Sequence, residues 1–231
     1  WETQSSYTKI IVMKKIIIAL VSFLCLHSAF AQEGLYLRTQ FWGGGSLDIS
    51  WLYFTKDGVI CKNPTYGINP FNLQKELELN KANTGKFSMA ANKMNINWSS
   101  GKSQSIKAEF NGALLKGLDG GICTKAKPFA AKSLAGKTYS GYASAGSVSQ
   151  STVIEFKEDG TFIMYKRGAI TGSGNISGSA SSQGTKTGKY TVTGNTIVFN
   201  YDDGTEWRTL AQPYDLGKDE IILNDKLFRK R

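Results

Sequence analysis

The chain has 231 residues, of which 41% are hydrophobic and 12% aromatic. This length and apolar content suit one sizeable domain or two small ones with packed cores, and they exclude a disordered or collagen-like chain. Lys and Arg number 28 against 18 Asp and Glu, so the formal charge is +10. The single histidine, His27, lies in a segment that we expect to be removed. That removal excludes Ser-His catalysis, histidine metal sites and imidazole pH switches from the remaining chain.

Residues 13–31 predict a secretory signal peptide. Residues 13–15 are a charged start, 16–26 are apolar apart from one serine, and 29–31 place alanines at the −3 and −1 positions of a cleavage site. The apolar stretch is shorter than the ~20 residues that a membrane-spanning helix needs. We therefore expect an exported protein, either periplasmic or extracellular.

The folded part is expected at residues 32–231, as a single β-barrel-like domain. Residues 1–12 begin with Trp rather than Met and are interpreted as a spurious or fragmentary extension. Removing the three lysines and one glutamate of residues 1–31 lowers the formal charge from +10 to +8. Cys61 and Cys123 remain, and export would allow them to form a disulfide, with two small buried thiols as the alternative.

The two halves of this folded part are similar to each other. Residues 84–101 match residues 187–204 at an offset of 103 without a gap, with identical residues at six of 18 positions. A shorter match at an offset of 102 precedes it. Self-similarity over such a period indicates an internal duplication. The two repeats are expected at about 34–129 and 134–231.

Each repeat predicts antiparallel strands joined by tight turns. Met94, Ile96 and Trp98 alternate with polar residues, as expected for a strand with one buried face. Asp-Gly pairs such as Asp57-Gly58 and Asp203-Gly204 are typical of hairpin turns. Four or five strands are expected per repeat, a number that cannot close alone and would leave exposed edges. We therefore favour one all-β antiparallel barrel or barrel-like sandwich of about 8–10 strands shared by both repeats, with two separate small domains as the alternative.

Two connecting segments differ between the repeats. In the first repeat, Asn69 and Pro70 predict the start of one short helix that runs to about Asn80. The corresponding segment of the second repeat, 168–188, holds six Gly and five Ser. This composition predicts a flexible loop.

The string GKYTVTGNTIVFNYDDG at 188–204 resembles a hairpin repeat of exported bacterial lipocalin-like (calycin-type) β-domain proteins. The first repeat carries a degenerate version at 85–101, and the resemblance extends over most of 34–231. It implies a barrel fold and suggests a ligand cavity. Many proteins of this kind have no assigned function, and the resemblance carries over no catalytic residue.

Aromatic and apolar side chains on the inward faces of the strands suggest a ligand site. A barrel of about eight strands can hold one small ligand, although the same residues can instead simply fill the core. Non-catalytic binding of a small apolar or amphiphilic ligand is the favoured function. The candidate ligand-binding residues are Trp51, Phe54, Phe87, Met94, Trp98, Phe156, Tyr190, Phe199 and Tyr201.

No motif supports catalysis. The adjacent Asp202 and Asp203 could suggest glycoside hydrolysis, but neighbouring residues of a strand point to opposite faces, and a turn glycine follows them. We interpret them as turn-forming residues. We expect no enzyme activity, no metal and no cofactor.

The excess of basic residues supports a rival function. In this interpretation the core is solid and a basic rim binds anionic polymers, with anionic glycans or membrane headgroups as partners. Nucleic acid is not expected as the partner of an exported protein. The basic residues concentrate around the junction of the repeats and at the end of the sequence: Lys116, Lys125, Lys127, Lys132, Lys137, Lys226, Arg229, Lys230 and Arg231.

Overall fold

The computed structural model describes residues 33–43, 47–130, 132–145, 148–171, 179–215 and 217–231. It contains two closed barrels, each of eight antiparallel strands in which every strand pairs with its neighbour along the chain. No helix of this described part has the length and apolar character needed to span a membrane. The predicted signal peptide and the segment before it lie outside the described residues.

Barrel 1 is formed by the first repeat and closes where its last strand pairs with its first. Its strands are β1 (Gly34–Phe41), β2 (Leu47–Phe54), β3 (Val59–Lys62), β4 (Thr84–Ala90), β5 (Lys93–Trp98), β6 (Ser103–Asn111), β7 (Leu114–Leu118) and β8 (Gly121–Lys125).

Barrel 2 is formed by the second repeat and closes through pairing of its last strand with its first. Its strands are β9 (Lys137–Ala145), β10 (Val148–Phe156), β11 (Thr161–Thr171), β12 (Ser179–Thr193), β13 (Thr196–Tyr201), β14 (Glu206–Asp215), β15 (Glu220–Leu223) and β16 (Lys226–Lys230).

The all-β class, the antiparallel barrel and the single short helix in the first repeat are confirmed. The prediction of one barrel shared by both repeats is wrong, because each repeat closes a barrel of its own. Each repeat supplies eight strands where four or five were predicted. The shortest strands, β3 and β15, have four residues each, too few to show a clear alternation in the sequence.

The predicted loop over 168–188 is also corrected. Strands β11 and β12 form a long hairpin whose register runs from Thr161 opposite Lys189 to Thr171 opposite Ser179. Backbone hydrogen bonds hold such a ladder whatever the side chains are, so a Gly- and Ser-rich composition does not prevent it. Residues 172–178 of the predicted loop lie outside the described residues.

Helix α1 (Leu73–Leu79) begins about three residues later than predicted and is followed by a 3-10 turn (Lys81–Asn83). Its cap is Asn72, not Asn69, and the Asn72 side chain accepts a hydrogen bond of 3.0 Å from the backbone N–H of Lys75. The buried carboxylate of Glu76 accepts backbone N–H groups from the preceding loop, including that of Tyr66 at 2.6 Å. The helix thereby anchors this loop to the outside of barrel 1.

A glycine shared by both repeats explains the most similar part of the sequence. At Gly85 a Cβ atom would lie 2.4 Å from the carbonyl oxygen of Asn97 on the neighbouring strand, and at Gly188 it would lie 2.0 Å from that of Asn200. Only glycine allows strands to approach this closely. The Thr-Gly-Lys start of the repeated hairpin is therefore a backbone requirement of each barrel.

The barrels pack against each other through an apolar group that we call the inter-barrel cluster. Barrel 1 contributes outward residues of β1 and β2, and barrel 2 contributes outward residues of β14 to β16. Hydrogen bonds cross the same contact, from Ile68 N to Thr196 Oγ1 at 3.0 Å and from Asn195 Nδ2 to the Lys127 carbonyl at 2.7 Å. The buried members of the cluster are Leu35, Leu37, Ile49, Trp51, Leu210 and Ile222.

The two cysteines are buried and do not pair with each other. Cys61 lies beside Glu76, whose carboxylate is 3.5 Å from its sulfur, while Cys123 belongs to the interior of barrel 1. Burial raises the pKa of Cys61 to about 12 and that of Cys123 to about 11, so both are protonated thiols at neutral pH. Of the two possibilities left open by the sequence, two buried thiols is the one found.

Candidate functional site

Eight of the nine predicted ligand-binding residues line a barrel interior, but they are divided between two barrels. Phe54, Phe87, Met94 and Trp98 belong to the core of barrel 1. Phe156, Tyr190, Phe199 and Tyr201 belong to the core of barrel 2. No single cavity is therefore lined by the whole set.

Trp51 is the exception, because the predicted inward orientation of its side chain is wrong. It points outward from β2 into the inter-barrel cluster, where its indole N–H donates to the carbonyl of Asn224. Trp51 and Phe54 are separated by an odd number of positions on one strand, so they face opposite sides.

Both interiors are filled over most of their length. Ring centroids lie 5.1 Å apart for Phe54 and Phe87 and 4.8 Å apart for Phe162 and Phe199, in edge-to-face contacts. Inward-facing residues leave a cavity at one end of each barrel, of about 90 Å3 in barrel 1 and about 100 Å3 in barrel 2. Each has room for about three water-sized groups and lies well below the ~300 Å3 at which ordinary ligand pockets begin. We call these two cavities mouth 1 and mouth 2.

Mouth 1 has an apolar floor and a charged rim. Its charged lining residues are Arg38, Lys62 and Asp119, and the aromatic lining residue is Trp98. Lys62 forms no salt bridge within the described part of the chain. The floor consists of Leu52, Ile60, Ile96, Ile106 and Leu118.

Arg38 is the most constrained group of mouth 1. Its guanidinium is buried and donates to the Leu118 carbonyl at 2.9 Å, to the Asp119 carbonyl at 3.1 Å and to the side chain of Gln40. It also pairs with Asp48 at 3.4 Å. These partners fix the planar cation at the rim, where it is positioned before any ligand arrives.

Mouth 2 has the same general composition. Its charged lining residues are Lys166, Lys226 and Asp225, over a floor that includes Met164, Leu223 and Phe228. Trp207 lines one side and stacks on Phe199, with ring centroids 5.1 Å apart and 15° between the planes.

The two ammonium groups of mouth 2 have no carboxylate partner in the described residues. Lys166 lies over Trp207 at 5.8 Å from the ring centroid, and Lys226 donates to Gln150 at 3.2 Å. Desolvation lowers the pKa of Lys166, and the nearby ammonium groups of Lys186 and Lys226 lower it further. An anion in mouth 2 would relieve this repulsion.

The two mouths are built from different positions of the repeat. Lys62 of barrel 1 occupies the position that Met164 has in barrel 2. Lys62 pairs with Leu52, and Met164 pairs with Ile154, the residue equivalent to Leu52. Gln104 likewise corresponds to Trp207. Yet each mouth combines two cations, one carboxylate, one Trp and an apolar floor.

The polar and charged lining residues are absent from the predicted set. The alternation of each strand could have located two of them, because Lys62 follows the inward Ile60 by two positions and Lys166 follows the inward Met164 by two. The inward orientation of Arg38 follows in the same way from Tyr36. Nothing in the sequence indicates that these positions lie at the open end of a barrel.

The family model described as a lipocalin-like domain matches residues 133–222. The matched segment begins just before β9 and ends within β15, so it covers most of barrel 2. The resemblance is thus confirmed, and two closed eight-stranded barrels are consistent with a duplicated lipocalin-like domain. No curated protein and no solved structure matches the sequence.

Proposed function

We propose that this chain, whose second barrel carries a lipocalin-like domain, is a non-catalytic binding protein for small amphiphilic monoanions. A barrel of this kind is associated with small-ligand binding in general. The observation that supports a small amphiphilic monoanion as the ligand is that mouth 1 and mouth 2 have the same composition, although non-equivalent positions of the repeat form them.

The charges favour a ligand with one negative charge. Each mouth is lined by two cations and one carboxylate. In mouth 2 neither lysine has a carboxylate partner among the described residues, whereas in mouth 1 Asp48 pairs with Arg38 and the unpaired cation is Lys62. In mouth 1, Arg38 is already held by its own partners, which leaves the Lys62 ammonium free to approach a carboxylate at the rim. Charge-assisted hydrogen bonds of this type are the stronger ones in proteins.

The size and the apolar floor favour a short hydrocarbon tail. About three water-sized groups fit beneath the rim, and burying three methylene-sized groups contributes about 2–3 kcal/mol. A ligand of so few atoms is expected to bind with a Kd in the millimolar range, about −4 kcal/mol. This proposal replaces an enclosed site lined by the nine predicted aromatic and apolar residues with one shallow site in each barrel.

Butanoate is the probe that matches this description, with butan-1-ol as the uncharged control of equal chain length. In 15N-labelled protein, the indole N–H signals of Trp98 and Trp207 report on mouth 1 and mouth 2 separately. Butanoate is expected to shift both signals in a saturable way, while the signal of Trp51, in the inter-barrel cluster, stays in place.

Each barrel serves as the control for the other. Lys62→Met installs the residue that barrel 2 has at that position, and it is expected to weaken the Trp98 response about tenfold and leave the Trp207 response unchanged. Lys166→Met is expected to do the reverse. Equal shifts with butan-1-ol, or an unchanged Trp98 response in Lys62→Met, would overturn the proposal.

A further inference from the structure

We infer that the outer surface of barrel 2 is a second, independent binding site, and that its ligand is an acidic polysaccharide. The surface is formed by outward residues of β9, β10, β11, β12 and β16, and we call it the open face. Two rows of side chains cross it from strand to strand. They are Tyr142, Ser151, Arg167 and Gln183 in one row and Arg229, Ser140, Val153 and Tyr165 in the other.

The open face is a continuous depression. Three adjoining hollows of about 400, 370 and 400 Å3 follow one another across it, and all three are bordered by Ser151. Each is roughly four times the size of a mouth. Because neighbouring strands lie about 4.8 Å apart, the hollows extend about 19 Å along the curved wall of the barrel from β16 to β12, a path that a chain-like ligand can follow.

Its charge is positive throughout. Arg167, Arg229 and Arg231 border the hollows, and no Asp or Glu does. Arg229 pairs with Glu220 at 3.0 Å but keeps 72% of its side chain exposed. Glu220 lies directly opposite Arg229 in the strand register, and Glu155, two residues from Val153, faces Thr138 at the edge of the face.

The equivalent surface of barrel 1 shows that this composition is not dictated by the fold. The register places Leu37 where barrel 2 has Ser140, Ile49 where it has Ser151 and Trp51 where it has Val153. In barrel 1 these residues are buried in the inter-barrel cluster. Among the residues that the structure describes, none covers the open face in this way.

Solvation alone would require polar side chains on an unpartnered face, but it does not require arginines grouped with exposed tyrosines. Tyr142 is 64% exposed and Tyr165 is 37% exposed. Large aromatic side chains are normally at least partly covered, and their grouping on a surface marks contact with a partner.

A chain of acidic sugars matches the face group by group. The planar guanidinium of an arginine binds a carboxylate or sulfate in a bidentate manner. Tyrosine rings provide flat apolar surfaces for the faces of sugar rings, and the hydroxyls of Ser140 and Ser151 and the amide of Gln183 can bond to sugar hydroxyls. An anionic membrane surface fits less well, because such binding relies on apolar side chains that insert between lipids. The apolar Val153 and Leu227 are both partly buried.

Polygalacturonate is the probe, with dextran as the neutral polysaccharide. The full chain is expected to bind polygalacturonate and not dextran, and the affinity should fall as salt is raised. Arg167→Gln is expected to weaken binding about tenfold, and Tyr142→Ala by a similar factor. Lys116→Gln removes one charge from an exposed position of β7 in barrel 1 and is expected to change the affinity less than about twofold.

Three results would overturn the inference. Equal losses in Arg167→Gln and Lys116→Gln would mean that only the net charge matters. Binding of single-stranded DNA or of anionic phospholipid vesicles with the same dependence on Arg167, without binding of polygalacturonate, would assign the face to another partner. Unchanged binding in both open-face variants would place the polysaccharide elsewhere. None of these outcomes depends on butanoate binding at the mouths.

Discussion

Barrel 1 and barrel 2 share one backbone plan but differ in each layer of side chains. Equivalent backbone hydrogen bonds persist, from Ala126 N to the Leu35 carbonyl at 2.8 Å and from Arg231 N to the Thr138 carbonyl at 2.9 Å. Outside these strands, the surface of barrel 1 is an apolar contact, whereas that of barrel 2 is the open face. The strand pairing is thus the same in both barrels, whereas the composition of each outer surface depends on what that surface contacts.

The interiors show a reciprocal exchange of large and small residues at one place. In barrel 1, the Arg38 side chain lies over Gly121, where a Cβ would be 2.7 Å from Nε. In barrel 2, Gly141 occupies the position of Arg38. The ring of Phe228, on the neighbouring strand β16, fills the space and lies 2.7 Å from where a Cβ of residue 141 would be. The volume is filled in both barrels, by a cation in one and by an aromatic ring in the other.

The largest expected effect tests the outer-surface half of this comparison. Trp51→Ala removes a fully buried indole and its hydrogen bond to Asn224, so we expect a loss of about 3–5 kcal/mol in the free energy of unfolding. Val153→Ala, at the equivalent position of barrel 2, should cost less than about 1 kcal/mol because it lies on the open face. Urea unfolding of the full chain measures both, and similar losses in the two variants would refute the asymmetry.

The difference between the two outer surfaces is also the feature that is hardest to predict from the sequence. The period-2 pattern and the repeat predict the class, the antiparallel barrel and the repeated β4-β5 and β12-β13 hairpins, because each is a local property of strands and turns. Both faces of β1 and β2 are apolar, with Leu35 and Trp51 on one side and Tyr36 and Leu52 on the other. This double apolar pattern is typical of strands with a second contact outside the barrel, and an interior position for Trp51 does not take it into account.

The candidate sites could be predicted less well than the fold, for a physical reason. Inward aromatic residues have the same periodicity whether they fill a core or line a cavity, so Phe54 and Phe199 carry no information about open space. The mouths depend on which strand ends are adjacent, and the closing pairs β1-β8 and β9-β16 join residues far apart in the sequence. The open face depends in addition on which surface the other barrel leaves uncovered.

A smaller effect tests the interior half of the comparison. Gly141→Ala places a Cβ 2.7 Å from the Phe228 ring, which is buried and cannot move freely, so we expect a loss of about 1–3 kcal/mol in stability. Gly184→Ala is the matched control, because nothing lies within 4 Å of its Cβ position. It should change the stability by less than about 0.5 kcal/mol. Thermal and urea unfolding compare the two, and a neutral Gly141→Ala would contradict the close packing of Phe228.

The smallest effect concerns the strand closure of barrel 2, where Asp219 joins two lysines. Its carboxylate lies 2.7 Å from Lys230 of β16 and 3.2 Å from Lys137 of β9, whereas barrel 1 has Gly34 in place of Lys137. The hydrogen bonds from Lys230 and then Lys137 lower the pKa of Asp219 below its ordinary value of 3.8. A lowered pKa in the folded state means that the stabilisation is complete above the unfolded value and is lost as the pH falls through the folded one.

Asp219→Asn is therefore expected to be slightly less stable than the parent protein at pH 7 and equally stable once the pH is low enough to protonate the parent carboxylate. The difference should shrink as the pH falls below about 4, and raised salt at pH 7 should also shrink it because the groups are exposed. Asp57→Asn, in the turn between β2 and β3, is the control, since Asp57 forms no salt bridge among the described residues. Urea unfolding across this pH range measures the effect. A difference between Asp219→Asn and the parent that stays constant as the pH falls from about 7 to about 2 would show that the amide disturbs the closure sterically and that the two ion pairs do not account for it.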